Sequence, residues 1–474
     1  MCQFKRLLMS LACSSFLLIS TSAFSQDDPD AEFGVDEDDT EYTFDTDAMY
    51  ALPNWYTIGD GLRFSSRTND YSMRITGYIQ PYYELFWGTD TLGNSYRENR
   101  YRISRARIKM SGESKKLKMS YRISFDLSRN NSEGDRNTLI DEENNFLWDA
   151  YITYRPFRYT RVSLGQKAPR TNYREFFMTS NTLQMVERSR ITSLFSVFRD
   201  MGLFVDRRDK VYRDLYIKSY LEITTGEGQN AFENYGGLKY GGRLDIFPFG
   251  LFKGGEFNGV DMLREWKPKL VVGGAYSINK GMSNRNGNFR QVPDRFLYTD
   301  IEGNELLPDY EKFVADFLLK YRGFVVLGAY VKTQASVPSG ITDDEATVRG
   351  RLNLGEIWNI QAGYLFRGDW SVDARYEKIN DLIELDNTGA IIPESETFLD
   401  AGIYNRPEYY TFGLTKYMQK YAMKIQASIT YNSVETKTGG DARIYSGANP
   451  SGGSDIDVAI PDEWTYRMVF SLAF

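Results

Sequence analysis

Residues 117–128, LKMSYRISFDLS, alternate strictly between apolar and polar. Leu117, Met119, Tyr121, Ile123, Phe125 and Leu127 share one parity; Lys118, Ser120, Arg122, Ser124, Asp126 and Ser128 share the other. A period of two puts successive side chains on opposite faces of a strand. The same rhythm recurs in sixteen stretches: 71–83, 100–112, 117–129, 147–155, 160–167, 200–207, 213–224, 237–247, 268–278, 310–322, 323–333, 356–367, 369–379, 408–417, 421–432 and 464–474. Each is about as long as a tilted strand needs to cross a bilayer, and an even count suits a closed antiparallel barrel.

The connections support that fold. Short ones join 112 to 117, 322 to 323, 367 to 369 and 417 to 421, whereas 130–146, 168–199, 279–309, 334–355, 380–407 and 433–463 are long. Short turns on one side and long loops on the other are the outer-membrane barrel pattern. One connection breaks the rule: 248–267, PFGLFKGGEFNGVDMLREWK, is long on the short-turn side. Alternating strands also build soluble sandwiches, but one-sided loop lengths favour an all-β, transmembrane, sixteen-stranded antiparallel barrel.

In a barrel the apolar parity meets lipid and the polar parity meets the lumen. On that rule the wall offers Arg105, Arg107, Lys109, Lys118, Arg122, Arg161, Lys167, Arg243, Lys320 and Arg322 to the lumen, with Lys332 and Arg367 among further cations. Counted over all sixteen stretches, twenty cations face eight acids. Fixed positive charge along a narrow aqueous path concentrates anions and repels cations. Arg100 and Arg102 fall on the opposite parity from Arg105, Arg107 and Lys109. A β-bulge near Ser104 would bring all five to one face.

Charge along the chain sharpens the picture. The whole chain carries −7. Residues 1–25 carry +2 and 26–47 carry −11, so the remainder carries about +2. Residues 1–25 read as a secretory signal: Lys5 and Arg6, the apolar run Leu7–Ile19, then a small-residue cleavage site ending at Ser25. Both cysteines lie in that piece. Residues 26–60 read as an acidic, disordered N-terminal segment, leaving 61–474 for the barrel. The absence of histidine removes Ser-His-Asp triads and His-ligated metal sites. No catalytic group, cofactor or metal is expected, and the chain does not read as an enzyme.

Several short motifs then occur in order: GLRF at 61–64, RARIKMSG from 105, GQKAP at 165–169, VERS at 186–189, RDMGLFV at 199–205, YGGRLDIFP at 240–248 and the terminal Phe474. Together they resemble the phosphate-selective porin O and P family across nearly all of 61–474. The acidic, Tyr-rich style looks like a Bacteroidetes member. The resemblance implies an outer-membrane porin of a Gram-negative bacterium, usually a homotrimer, surrounded by outer-membrane lipid. It implies passive diffusion of small hydrophilic solutes with anions, including phosphate, preferred. It implies that Phe474 is read by the barrel-assembly machinery and that the third extracellular loop folds into the pore. That loop is 168–199, with Arg170, Arg174, Arg188 and Arg190 as candidate anion-binding groups and a short helix expected from a Ser180 cap to Arg190. No nucleic-acid partner is expected. The alternative function is a closed barrel that serves as a scaffold or binding partner in a surface or export assembly.

Overall fold

The computed structural model describes residues 54–66, 68, 70–89, 95–128, 146–231, 234–283, 302, 306–336, 355–380, 406–435 and 463–474. The expected signal and most of the acidic segment lie outside them. A small hairpin comes first, β1 (Asn54–Thr57) and β2 (Gly61–Ser65). The wall follows: β3 (Tyr71–Thr89), β4 (Ser95–Ser114), β5 (Met119–Asp126), β6 (Leu147–Phe157), β7 (Thr160–Lys167), β8 (Asp200–Tyr212), β9 (Leu215–Thr224) and β10 (Lys239–Phe247). It continues with β11 (Lys269–Asn279), β12 (Asp309–Tyr321), β13 (Phe324–Ser336), β14 (Gly355–Leu365), β15 (Trp370–Asn380), β16 (Arg406–Gln419), β17 (Met423–Glu435) and β18 (Glu463–Ala473).

Each wall strand pairs antiparallel with the next, and β18 pairs back onto β3 from Trp464↔Trp87 to Ala473↔Tyr78. Sixteen strands therefore close, in the order and places that the alternation predicts. The hairpin extends the sheet at the short-turn end, where β2 pairs with the start of β3. Phe474 finishes the seam: its N–H donates to Gly77 O at 2.8 Å and its carbonyl accepts from Gly77 N at 2.7 Å. A Cβ on Gly77 would lie 2.6 Å from the Phe474 ring, so the glycine makes room for the terminal aromatic.

The turns follow local chemistry. Arg322 (φ 50°) and Gly323 (φ 92°) join β12 to β13 with two positive-φ residues, as a type I′ hairpin requires. The long connections join strands at the other end, which in outer-membrane barrels is extracellular. Outward positions are apolar and open, with Tyr101 80% and Phe412 63% exposed, as lipid contact demands.

The inner face divides in two. On β3–β9 it is polar. On β11–β15 it carries Val271, Val314, Leu318, Val325, Leu327, Val331, Ile357 and Ile379, all buried. Apolar groups can line a lumen only if protein covers them. Here two connections do so.

Candidate functional site

The connection 168–199 lies inside the barrel. It contains two short helices, α1 (Arg174–Phe177) and α2 (Arg190–Phe195). The expected helix from Ser180 to Arg190 is absent, and the Ser180 hydroxyl accepts instead from Arg188 at 3.3 Å. Phe177, Leu183, Ile191, Leu194 and Phe195 pack on the apolar inner face of β11–β15.

Polar anchors fix the segment. The Arg174 guanidinium lies 2.9 Å from Asp245 and 3.0 Å from Asp316, and Arg243 joins the same two carboxylates at 2.9 and 2.7 Å. These four side chains are at most 1% exposed. Burial would lower the Arg174 pKa, but Asp245 and Asp316 outweigh it and hold it above the ordinary value. Gly273 leaves the space: a Cβ there would come within 2.8 Å of Arg174 Nη2. Around the circumference, Glu175 accepts from Arg375 at 2.6 Å and Gln184 donates to Asp373 at 2.8 Å. Lys424 donates to Leu183 O at 3.1 Å, and Gln80 to Ser180 O at 3.3 Å. The segment thus spans the lumen from β3 to β17.

The anomalous connection 248–267 enters from the opposite end. Phe252, Phe257 and Val260 are buried, and Phe257 meets Phe177 edge-to-face at 5.5 Å. Gly259 N–H donates to Thr182 O at 3.0 Å, so the two segments touch backbone to backbone. Asp261 accepts from Gly323 N, Tyr421 donates to Val260 O, and Arg264 donates to Leu365 O, at 2.7–2.9 Å. Its length is explained by this seat beneath the inward segment. Its phenylalanines and glycines lack the alternation that marks a strand, so the strand pattern could not locate it.

Both segments favour the β8–β17 side, and an open cavity remains against β3–β6. It is open to solvent, has a cavity volume of about 150 Å³ and is bordered by Arg74, Arg107, Lys109, Arg122, Arg188 and Arg199. The carboxylates nearby are Asp149, which faces the cavity and pairs with Arg199, Asp126, which pairs with Arg107 at 2.9 Å, and Asp60, which pairs with Arg74 at 2.5 Å. Among the described residues the border is thus richer in cations than in carboxylates.

The β4 wall gives the ladder its length. Gln80 pairs with Arg105 but Pro81 pairs with Ile103, so Ser104 is an extra residue on β4. This bulge, expected from parity, puts Arg100 opposite Glu84, Arg102 opposite Tyr82, Arg105 opposite Gln80, Arg107 opposite Tyr78 and Lys109 opposite Thr76, all on the lumen side. Glu84, fully buried, collects Arg100 at 2.5 Å, Arg102 at 3.6 Å and Arg467 at 2.6 Å. Arg105 donates to Glu187 of the inward segment at 2.5 Å.

Arg188 differs from its neighbours. It donates to Met178 O and Ser180 Oγ, and its Nε has no hydrogen-bond partner among the described residues. No carboxylate of the described residues lies within ion-pair distance. Burial, reinforced by Arg105 and Arg107, pushes its guanidinium down to about 10. It remains charged at neutral pH, among like charges.

Other sequence-derived candidates have different places. Lys118 (φ 53°) and Arg322 are exposed turn residues, beyond the ends of β5 and β12, and do not line the lumen. Arg367 is likewise an exposed turn residue. Lys332 takes the outward parity of β13, beside Tyr330, because the inward parity there belongs to Val325, Leu327 and Val331. Arg174 and Arg243 are locked in their buried ion pairs. Lys320 is 3% exposed under the 248–267 segment, donating to Gly255 O at 3.4 Å. Arg170 is buried against Phe177, Tyr220 and Phe257. Arg161 and Lys167 face the lumen near Asp206, at 3.2 and 3.9 Å. Arg190 stacks on Tyr409, 4.7 Å from the ring centroid, and borders a second, smaller hollow with Arg188, Arg375 and Arg467.

No curated protein gives a match. Among solved structures the chain is similar to an anion-selective porin from Comamonas acidovorans, at 10% identity and TM-score 0.49, covering 85% of this chain and 100% of that one. It is similar to the outer membrane channel DcaP of Acinetobacter baumannii, at 9% identity and TM-score 0.47, covering 88% and 100%. It is also similar to Salmonella typhi OmpF in complex with daunomycin, at 14% identity and TM-score 0.45, covering 89% and 100%. Residues 83–234, which supply most of the cavity wall, match the model of the phosphate-selective porin O and P family, the family that the sequence motifs resemble.

Proposed function

We propose that this barrel is an outer-membrane porin that lets small hydrophilic solutes diffuse passively, with anions preferred. One observation carries the preference: Arg188 borders the cavity as a charged group without a carboxylate partner among the described residues, beside Arg105 and Arg107. An anion in the cavity supplies the missing counter-charge, whereas a cation adds to the repulsion. Inorganic phosphate fits this rule as one anion among several. Arg107, Lys109 and Arg122 present the wall donors, with Arg74 below them. The chemistry involves no bond making, so the chain acts as a channel and not as an enzyme. Phe474 at the seam suits recognition by the barrel-assembly machinery, and the open outer belt suits lipid and a homotrimer.

The test is the reversal potential of purified protein in planar bilayers under a salt gradient. Anion selectivity at low salt that fades toward 1 M is expected, as the Debye length shrinks from about 10 Å to about 3 Å. Cation selectivity would overturn the reading. A second reading, a closed scaffold, draws on the two segments that fill much of the lumen. Absence of conductance from correctly folded protein would favour it.

A further inference from the structure

The cavity has two unlike walls. One is cationic, with Arg107 and Lys109 of β4 beside Arg74, Arg122 and Arg188. The other is aromatic: Trp148, Phe198, Phe176 and Phe177 form a continuous edge-to-face series with centroids 6.0, 5.7 and 5.9 Å apart. All four border the open space, and Phe198 is only partly buried. The two walls meet at Trp148, whose ring carries the Arg107 and Arg199 guanidinium carbons, each 4.4 Å from its centroid. Cation–π contact of this kind fixes a guanidinium beside apolar surface. Trp148, Phe176 and Phe177 are 4–7% exposed and touch the space with little of their surface, whereas the partly buried Phe198 opens to it, so an apolar body seated against Phe198 would cover ring surface that a hydrated inorganic ion leaves wet.

We infer that the cavity selects organic anions in which one carboxylate or phosphate is attached to an apolar, best aromatic, body. The charged end meets Arg188, Lys109 and Arg107, and the body continues the edge-to-face series from Phe198 and Phe176. This rests on the anion preference proposed above, and it adds the solute class to it.

The experiment measures block of the chloride current in planar bilayers by benzoate, acetate and inorganic phosphate at equal ionic strength. Half-block by benzoate is expected at a concentration several-fold below that of acetate or phosphate. Phe198→Ser, and separately the milder Phe176→Leu, should reduce the benzoate advantage while the chloride-over-potassium reversal potential stays as in the unaltered protein. That unchanged potential reports an intact pore. Equal block by benzoate and acetate, phosphate as the strongest blocker, or a benzoate advantage untouched by both substitutions would overturn the inference, with anion selectivity left standing. A cation-selective reversal potential in the unaltered protein would sink the anion preference itself, and this inference with it.

Discussion

Glu187 and Arg188 are neighbours in the inward segment with opposite surroundings. Glu187 accepts from Arg105 of β4 at 2.5 Å, while Arg188 faces Arg105 and Arg107 and, among the described residues, no carboxylate. The first residue attaches the segment to the wall; the second leaves a net charge at the water path.

Arg188→Gln keeps hydrogen-bonding capacity and removes the charge. The anion-to-cation permeability ratio should fall several-fold at 0.1 M salt and change little at 1 M, where screening already hides fixed charge. Reversal potentials at the two salt concentrations check it. An equal drop at both would point to a distorted pore.

Attachment through Glu187 should depend on pH. Burial alone would raise its carboxyl, but Arg105 outweighs burial and holds it below the ordinary value of 4.5. The bond therefore contributes fully above pH 4.5 and is lost as pH falls through the lower, folded value. Conductance should be flat from neutral pH to about 5 and should change in stronger acid. Glu187→Gln should flatten that acid transition, and a transition that persists in the variant would assign it elsewhere.

The knot of Arg174 and Arg243 with Asp245 and Asp316 should dominate the stability of the inward segment. Arg174→Ala leaves buried carboxylates short of a partner, which costs about 3–5 kcal/mol. Arg174→Lys should recover only part, because an ammonium lacks the planar fork. Thermal unfolding of the barrel, read by its altered migration in detergent gels, orders the three proteins.

Replacing 250–265 by a short glycine turn should enlarge the conductance, since the segment that supports the inward one from below is gone. Phe257→Ala should act in the same direction at a cost of about 3–5 kcal/mol. Unchanged conductance in both would mean that 248–267 does not limit the passage.

At the seam, Gly77→Val should impair closure. Its Cβ would meet the Phe474 ring at 2.6 Å and Arg107 O at 2.9 Å, and overpacking of this kind costs about 1–3 kcal/mol. The yield of folded barrel should fall, and Gly77→Val combined with Phe474→Ala should recover part of it.

The sequence was informative where alternation is clean. Strands β5, β17 and β18 keep one apolar parity throughout, and the Ser104 bulge announced itself as a jump of basic residues from one parity to the other. Errors arose where the rule equating apolar with lipid fails. On β13 both faces are apolar, because the inner one packs against protein, so alternation alone sends Lys332 to the wrong face. Lys118 and Arg322 extended a strand rhythm into turns whose positive φ only backbone geometry reveals. Nothing in a single strand indicates that Asp245 and Asp316 will meet Arg174, some seventy and one hundred and forty residues away in sequence.

The cavity border has one further consequence. Apart from Gly59 and Ala473, every residue that borders it lies between Arg74 and Arg199. The cavity is thus lined almost entirely from one stretch of the sequence, and the remaining strands complete the barrel around it. Exchanging residues 74–199 as a block between two such barrels should therefore carry the proposed solute preference with it, with the remaining strands left as they are.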